Sequence, residues 1–200
     1  MPLPESIQEA AAAFDRLPGV GPRAALRYAY WLVTQPPDSI HGFAHTLQKL
    51  ASSILHCTVC HQWADTSPCR ICTNSSREST TLCVVATSQD VQSVEDTGVF
   101  KGRYHVLGGT LDPIEGRTPY TLTIPSLLAR LRNPASTIRE VIFALDADLP
   151  GDTTALYLKK QLANLPLKMT RLARGLPTGA ALEYADAHTL ADALLNRKES

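Results

Sequence analysis

Apolar and polar positions along the chain alternate at helical spacing in its first third and switch to strand-and-helix alternation afterwards. Ser6-Ile-Gln-Glu9 has the capping-box pattern and opens a short helix through Phe14. LPGVGP (Leu17 to Pro22) demands a tight turn; Pro22 suits a first helical position, and Arg23 to Thr34 continues as a second helix. Gln35-Pro-Pro-Asp-Ser39 breaks the chain, and Asp38 or Ser39 caps a third helix running to about His56. A cysteine-rich segment follows, then the polar stretch Thr73 to Thr80, which reads as a domain boundary.

Beyond it, TLCVVA (81–86) is a short β-rich apolar run of the kind buried on both faces of a parallel sheet. Ser88 to Thr97 predicts a helix ending at Gly98, YHVL (104–107) a strand, Ile124 to Leu131 a helix and EVIFAL (140–145) a strand. Asp152 to Leu165 reads as helix, Lys168 to Ala173 as strand, and His188 to Arg197 as a short amphipathic helix. Strands alternating with helices imply an α/β layered domain with a mostly parallel sheet. The sequence contains no internal repeat and no low-complexity tract.

Composition narrows the class. At 200 residues the chain can form one sizeable core with small appendages or two modest domains. It is 44% hydrophobic and 19% charged, as ordinary globular proteins are. Net charge is zero, so a polyanionic partner would have to be met by a local basic surface. No apolar run reaches the roughly 18 residues of a membrane span, and MPLPESIQEAAAAF lacks the basic start and apolar core of a secretory signal. The expected location is the cytosol. Four of the five cysteines lie between 57 and 72, which in a reducing compartment favours metal over disulfides.

CTVCHQWADTSPCRIC gives the pairs Cys57-x2-Cys60 and Cys69-x2-Cys72. A two-residue spacer lets both sulfurs of a pair reach one ion about 2.3 Å away, so the two pairs can close a tetrathiolate around zinc. Four thiolates and no open position define a structural ion. His56 and His61 flank the pairs as substitute ligands, but four sulfurs suffice. Cys83, in a predicted strand, reads as a small core residue, and Trp63, between the pairs, as packing over the knuckle.

In LPGVGPRAALRYA, Gly19 and Gly21 permit backbone geometry closed to other residues. With the helix start that follows, they can aim N–H groups at one anion. Arg23 and Arg27, four apart, project from the same helical face beside the turn. Amides plus two guanidinium groups suit a nucleic-acid phosphate without reading bases; a plain helix–helix turn needing glycine only for tightness is the alternative. Tyr28 and Trp31 on the same helix read as core. A third motif, LDADLPGD (145–152), sets Asp146 and Asp148 two apart at a strand end, the form of a magnesium site for phosphoryl chemistry. Asp152 reads there as the cap of the next helix.

Together these parts resemble the RecR family of bacterial recombination mediators: LPGVGPRAALRYA looks like a helix-hairpin-helix, the four-cysteine knuckle follows, and YHVLGG, LDPIEG and TRLARGLPTGAALEYADAHTLADAL are similar to that family over nearly the whole chain. The resemblance implies a helix-hairpin-helix module at 1–56, a four-cysteine zinc finger at 57–72, a toprim domain (Rossmann-like, mostly parallel sheet) at 80–176, and a C-terminal segment at 177–200 for oligomer or partner contacts. It implies a homo-oligomer, dimer or ring tetramer, that acts in the cytoplasm at the nucleoid. Its task would be to work with RecO and RecF in helping RecA load on gapped or single-stranded DNA, without sequence specificity. Gly19, Gly21, Arg23 and Arg27 would face DNA, with arginine where the family often has lysine; arginine holds phosphate with a planar fork.

Catalytic toprim enzymes need a glutamate at the end of the first strand beside the Asp-x-Asp pair, and here that place reads as Ala86. A methyl group neither moves a proton nor binds a metal, and loss of a positioned acid–base group costs about 10²–10⁴-fold in rate. Glu95 would be carried away by the first helix, leaving Asp90 as the one carboxylate able to reach back. Asp146 and Asp148 would then hold magnesium weakly, contact a partner or fix the loop. A non-catalytic DNA clamp is therefore expected, against a metal-dependent nuclease or phosphotransferase using Asp146 and Asp148, or a zinc-stabilised interaction module that never meets DNA. Glu183, Tyr184 and Asp186 are suggested as subunit or RecO contacts, and His105 as hydrogen-bonded in place.

Overall fold

Two small residues on one helix bring the first two helices together. In α2 (Pro22–Val33) the buried positions are Ala25 and Ala29, and α1 (Glu5–Asp15) faces them with Ile7, Ala10, Ala11 and Phe14, all half-buried at helical spacing. Phe14 and Tyr28 meet edge to face, with ring centroids 5.8 Å apart. Because alanines carry the contact, the large side chains of α2 stay outside: Tyr28 is 40% and Trp31 60% exposed, which corrects their expected place in a core. Ser6 is not a cap either. The helix starts one residue earlier, after Pro4, and no side chain closes its N-terminus. The third helix, α3 (Pro37–Ser53), likewise follows a proline, Pro36, without a side-chain cap from Asp38 or Ser39, and ends before His56.

The chain divides into two compact units, Met1–Ile54 and Leu55–Ser200. The computed structural model describes residues 3–197; positions 1–2 of the first expected module and 198–200 of the last lie outside the described residues. The break falls after Ile54, so the cysteine segment and the stretch at 73–80 both belong to the second unit.

That unit begins with a short antiparallel pair, β1 (Leu55–His56) and β2 (Trp63–Ala64), followed by a single helical turn, α4 (Arg70–Thr73). Then come β3 (Thr81–Val85), α5 (Ser88–Asp96), β4 (Arg103–Val106), α6 (Ile124–Arg132), β5 (Glu140–Ala144), α7 (Leu149–Leu162) and β6 (Lys168–Arg171). A short 3-10 turn at Leu182–Tyr184 leads to α8 (Ala187–Leu195). The four long strands form one all-parallel sheet in the order β4-β3-β5-β6.

Strand alternation divides the core. Leu82, Val84, Val141 and Phe143 join Leu127 of α6 and Leu158 and Leu162 of α7 in one cluster. Cys83, Val85, Tyr104, Val106 and Ala144 pack with Val91 of α5 and Ile71 of α4 in the other. Cys83 is thus a core residue, its thiol pushed up to about 12 by burial and, less, by the Asp90 charge. β4 is an edge strand, but the N–H of Val106, its last residue, donates to the Cys60 carbonyl at 2.8 Å, so the cysteine segment covers part of that edge.

Candidate functional site

The order of the sheet reverses between β3 and β5. β4 lies on one side of β3 and β5 on the other, with Val85 opposite Ala144. In open α/β sheets ligands sit outside the strand C-termini at such a switch point. Ala86, buried, leaves β3 there, and exposed Asp146 and Asp148 follow β5.

Of the carboxylates near this edge Asp148, Asp152 and Asp90 are engaged, whereas the Asp146 side chain has no partner among the described residues. Asp148 is the N-cap of α7, its side chain accepting from Gly151 N–H at 2.7 Å. This corrects Asp152 as the cap: Leu149, Pro150 and Gly151 form the first turn of the helix instead of a turn before it. Asp152 pairs with Arg171 and Arg174, and hydrogen bonds from Arg174 and then Arg171 hold its carboxyl below the usual range. Asp90 does not reach back either; its Oδ2 accepts from the Thr87 N–H at 2.7 Å in a capping box at the start of α5. Glu95 has been carried away, as expected, to Arg77 and the Tyr104 hydroxyl. Replacing Asp148 by Ala should therefore cost about 1 kcal/mol, the typical value of a lost cap, read as a lower urea midpoint.

The cysteine segment brings together four sulfurs that could hold a metal ion. Cys57, Cys60, Cys69 and Cys72 place their sulfurs within 4.8 Å of one another, with Cys60–Cys69 at 3.5 Å and Cys57–Cys72 at 3.9 Å. A tetrahedron with metal–sulfur bonds of about 2.3 Å has edges near ~3.8 Å, so the donor set fits. Backbone N–H groups of Cys69 and Val59 approach the Cys57 sulfur at 3.3 and 3.5 Å. Burial raises that thiol, but backbone donors at Cys69, Cys60 and Val59 outweigh burial and bring it down to about 6. Three of the four cysteines are buried, and among the described residues none of the five forms a disulfide. His56 Nδ1 faces the His61 carbonyl at 3.2 Å, outside the sulfur cluster. Trp63 is 54% exposed and lines a groove beside the knuckle with Cys69 and Ile71.

His105 is fully buried, its Nε2 3.0 Å from the Thr123 hydroxyl, as expected of a positioned residue. Burial, then the Arg130 and His61 charges, depress it to about 3, so the ring is neutral at physiological pH.

In the first unit the turn between α1 and α2 carries Gly19 at φ +77°, where a side chain is strained. Gly21 is different: it is the N-cap of α2 with extended φ −94°, which any residue adopts. A Cβ on Gly21 would meet nothing within 4 Å, so its bareness leaves the helix entrance open without serving a fold requirement. Pro22 has no N–H, and among the described residues the Arg23 and Ala24 N–H groups find no backbone acceptor. Arg23 and Arg27 are exposed at the same helix start, and neither forms an ion pair among the described residues. Two N–H groups without a backbone acceptor at the helix start, the Arg23 guanidinium beside them and the Arg27 guanidinium one turn on, 5.8 Å from the Tyr28 ring centroid, form a corner that can accept an anion.

The chain thus combines a paired-helix unit carrying this corner, a four-cysteine cluster and a parallel sheet with an acidic edge, and similarity to known proteins identifies the combination. Residues 7–51 match the family model described as RecR, helix-hairpin-helix, residues 80–173 the toprim domain, and residues 175–198 the RecR C-terminal model. The chain is 41% identical over 195 residues to "Recombination protein RecR" of Bifidobacterium longum subsp. infantis, covering 98% of this chain and 96% of the relative. It is 43% identical over 196 residues to that of Desulfitobacterium hafniense (98% and 96%), and 40% over 199 residues to that of Moorella thermoacetica (100% and 99%). The chain belongs to the RecR family of recombination proteins.

Proposed function

We propose that this protein is a non-catalytic DNA clamp and adaptor that grips sugar–phosphate backbone through the α1–α2 corner at Gly19, Gly21, Arg23 and Arg27. The corner's unpaired N–H groups and guanidiniums carry this reading, because net charge is zero and the grip must be local. Its substrate would be single-stranded and gapped DNA, held without sequence preference. The names of the relatives, recombination proteins, support a role in recombinational repair, and the resemblance to recombination mediators extends this to work with RecO and RecF in loading RecA, in the cytoplasm at the nucleoid. No helix among the described residues is long and apolar enough to cross a membrane.

Zinc is the ion we assign to Cys57, Cys60, Cys69 and Cys72, since four thiolates with no open position suit a structural zinc. Bound there, zinc would cross-link the knuckle that covers the β4 edge. Oligomer formation draws support from α3, where Phe43, Leu47 and Leu50 form an exposed apolar stripe at four-three spacing.

Against turnover stands the state of the acidic edge: Asp148 caps a helix, Asp152 is paired with two arginines, and Ala86 offers no carboxylate beside them. Clean protein should bind gapped and single-stranded DNA with strong salt dependence and leave it uncut in magnesium. A magnesium-dependent nick abolished by Asp146→Asn would restore the nuclease reading, and absence of salt-sensitive polynucleotide binding would leave only an interaction module. Light scattering with and without DNA, and then with RecO added, checks the assembly.

A further inference from the structure

Arg103, which opens β4, and Arg130, in the last turn of α6, lie far apart in sequence but line one cavity of about 220 Å³ with Ser79, Asn133, Ser136 and Thr137. Among the described residues no acidic side chain lines it. Neither arginine forms an ion pair among the described residues. The Nε of Arg103 is buried and without any hydrogen-bond partner, which is costly for a charged donor. Arg130 is held in place by Nη1, which donates to the Tyr104 carbonyl at 2.8 Å and to the Val59 carbonyl at 3.4 Å. Burial keeps Arg130 below its ordinary value, against the Cys72 and Cys60 sulfurs, which pull it up; the Arg103 charge adds to the lowering to a lesser degree.

Two half-buried like charges lining one cavity are relieved together by an anion held between their guanidinium groups. Neutral donors complete the wall. The Asn133 Oδ1 is used by the Ala135 N–H at 2.9 Å, so its amide N–H groups remain to donate. The volume lies below the roughly 300–1,000 Å³ of whole-ligand pockets, and no aromatic ring lines the cavity for a base to stack on. It is suited to one tetrahedral group.

We propose that Arg103 and Arg130, with Ser136 and Asn133, form a phosphate-binding site in the second unit, separate from the α1–α2 corner. The phosphate is either free inorganic phosphate or a group on a DNA strand; the chemistry is shared, and the experiment separates the sources. Because Arg130 also fastens the knuckle through Val59, Arg103 is the residue to vary.

The test is calorimetric titration of inorganic phosphate into the full chain carrying Arg23→Ala and Arg27→Ala, so that the corner keeps only its N–H groups and is weakened. Saturable binding is expected, at least about tenfold weaker once Arg103→Met removes both charge and fork, and only partly restored by Arg103→Lys, which keeps the charge without the fork. Ser136→Ala, which leaves both charges in place, should weaken binding more modestly and serves if Arg103→Met does not fold. On a short oligothymidylate, Arg103→Met in the otherwise native chain should lower the salt slope by about 0.7 if the phosphate is a strand's. A slope left unchanged while phosphate uptake falls assigns the site to a free anion. No phosphate uptake by the corner-weakened chain, or equal uptake with Arg103→Met and Ser136→Ala, overturns the site and leaves the corner's role in DNA binding untouched.

Discussion

Exchange of Cys57 and Cys60 for serine should strip the metal from the protein and collapse much of the second unit's stability. Atomic spectroscopy is expected to find about one zinc per chain in the native protein and none in the double variant. The effect should be large because metal binding and folding are one equilibrium in such knuckles, where structural zinc contributes roughly 10–16 kcal/mol of apparent binding energy in isolated fingers. The damage should also spread. The Cys60 carbonyl accepts the Val106 N–H at 2.8 Å, and the Val59 carbonyl accepts from Arg130, so an unfastened knuckle uncovers the edge of the sheet. Ile71, beside Cys72, packs against the buried face of β3 and β4 and would be lost with it. Thermal unfolding with and without a chelator reads the result; a native chain that is fully folded and metal-free would contradict it.

The second large effect is expected at Gly151. A Cβ placed there would stand 2.1 Å from the Asp146 carbonyl oxygen and 3.0 Å from Asp148 Oδ1. The first obstacle is backbone and cannot swing aside, so Gly151→Ala must shift the loop between β5 and α7 and break the Asp148 cap with it. Overpacking of this kind costs about 1–3 kcal/mol, and the lost cap adds about 1 kcal/mol. Urea unfolding should show a midpoint well below that of Asp148→Ala, while DNA affinity through the α1–α2 corner stays as it was. Equal stability of Gly151→Ala and the native chain would mean that this approach is looser than the geometry gives.

The strands of the sheet were legible because their signal is local: TLCVV and EVIFA are apolar, β-branched runs that make sense only when covered on both faces, and both are strands here. The doubled cysteine spacing was legible for the same reason, since two residues between sulfurs already bring each pair to one ion. Helix starts were read less well. Pro150 and Gly151 look like punctuation, yet proline is accommodated in a first helical turn, so the cap moved back to Asp148. Ser6-x-x-Glu9 was a capping pattern without a cap, whereas Thr87-x-x-Asp90, with aspartate in the last place, formed one.

Burial on α2 was misread because the helix does have an inward face, but alanines fill it, and a large aromatic such as Trp31 was a false guide to which side was covered. The meeting of Arg103 and Arg130 had no local signal at all. One residue sits on a strand and the other on a helix, and only the parallel crossover that returns α6 beside β4 puts them at one cavity. Gly21 shows the opposite limit: its type suggested special backbone geometry, but its backbone is ordinary, and what matters is the space left at the helix entrance.

The claim that the α1–α2 corner grips phosphate is tested most directly by the salt dependence of single-stranded DNA binding in Arg23→Ala/Arg27→Ala. Each lost phosphate contact should reduce the slope of log K against log salt by about 0.7, so the double variant should lie about 1.4 below the native slope, with affinity at low salt reduced at least tenfold. A slope and affinity equal to those of the native chain would contradict the account and move the DNA-binding surface away from this corner.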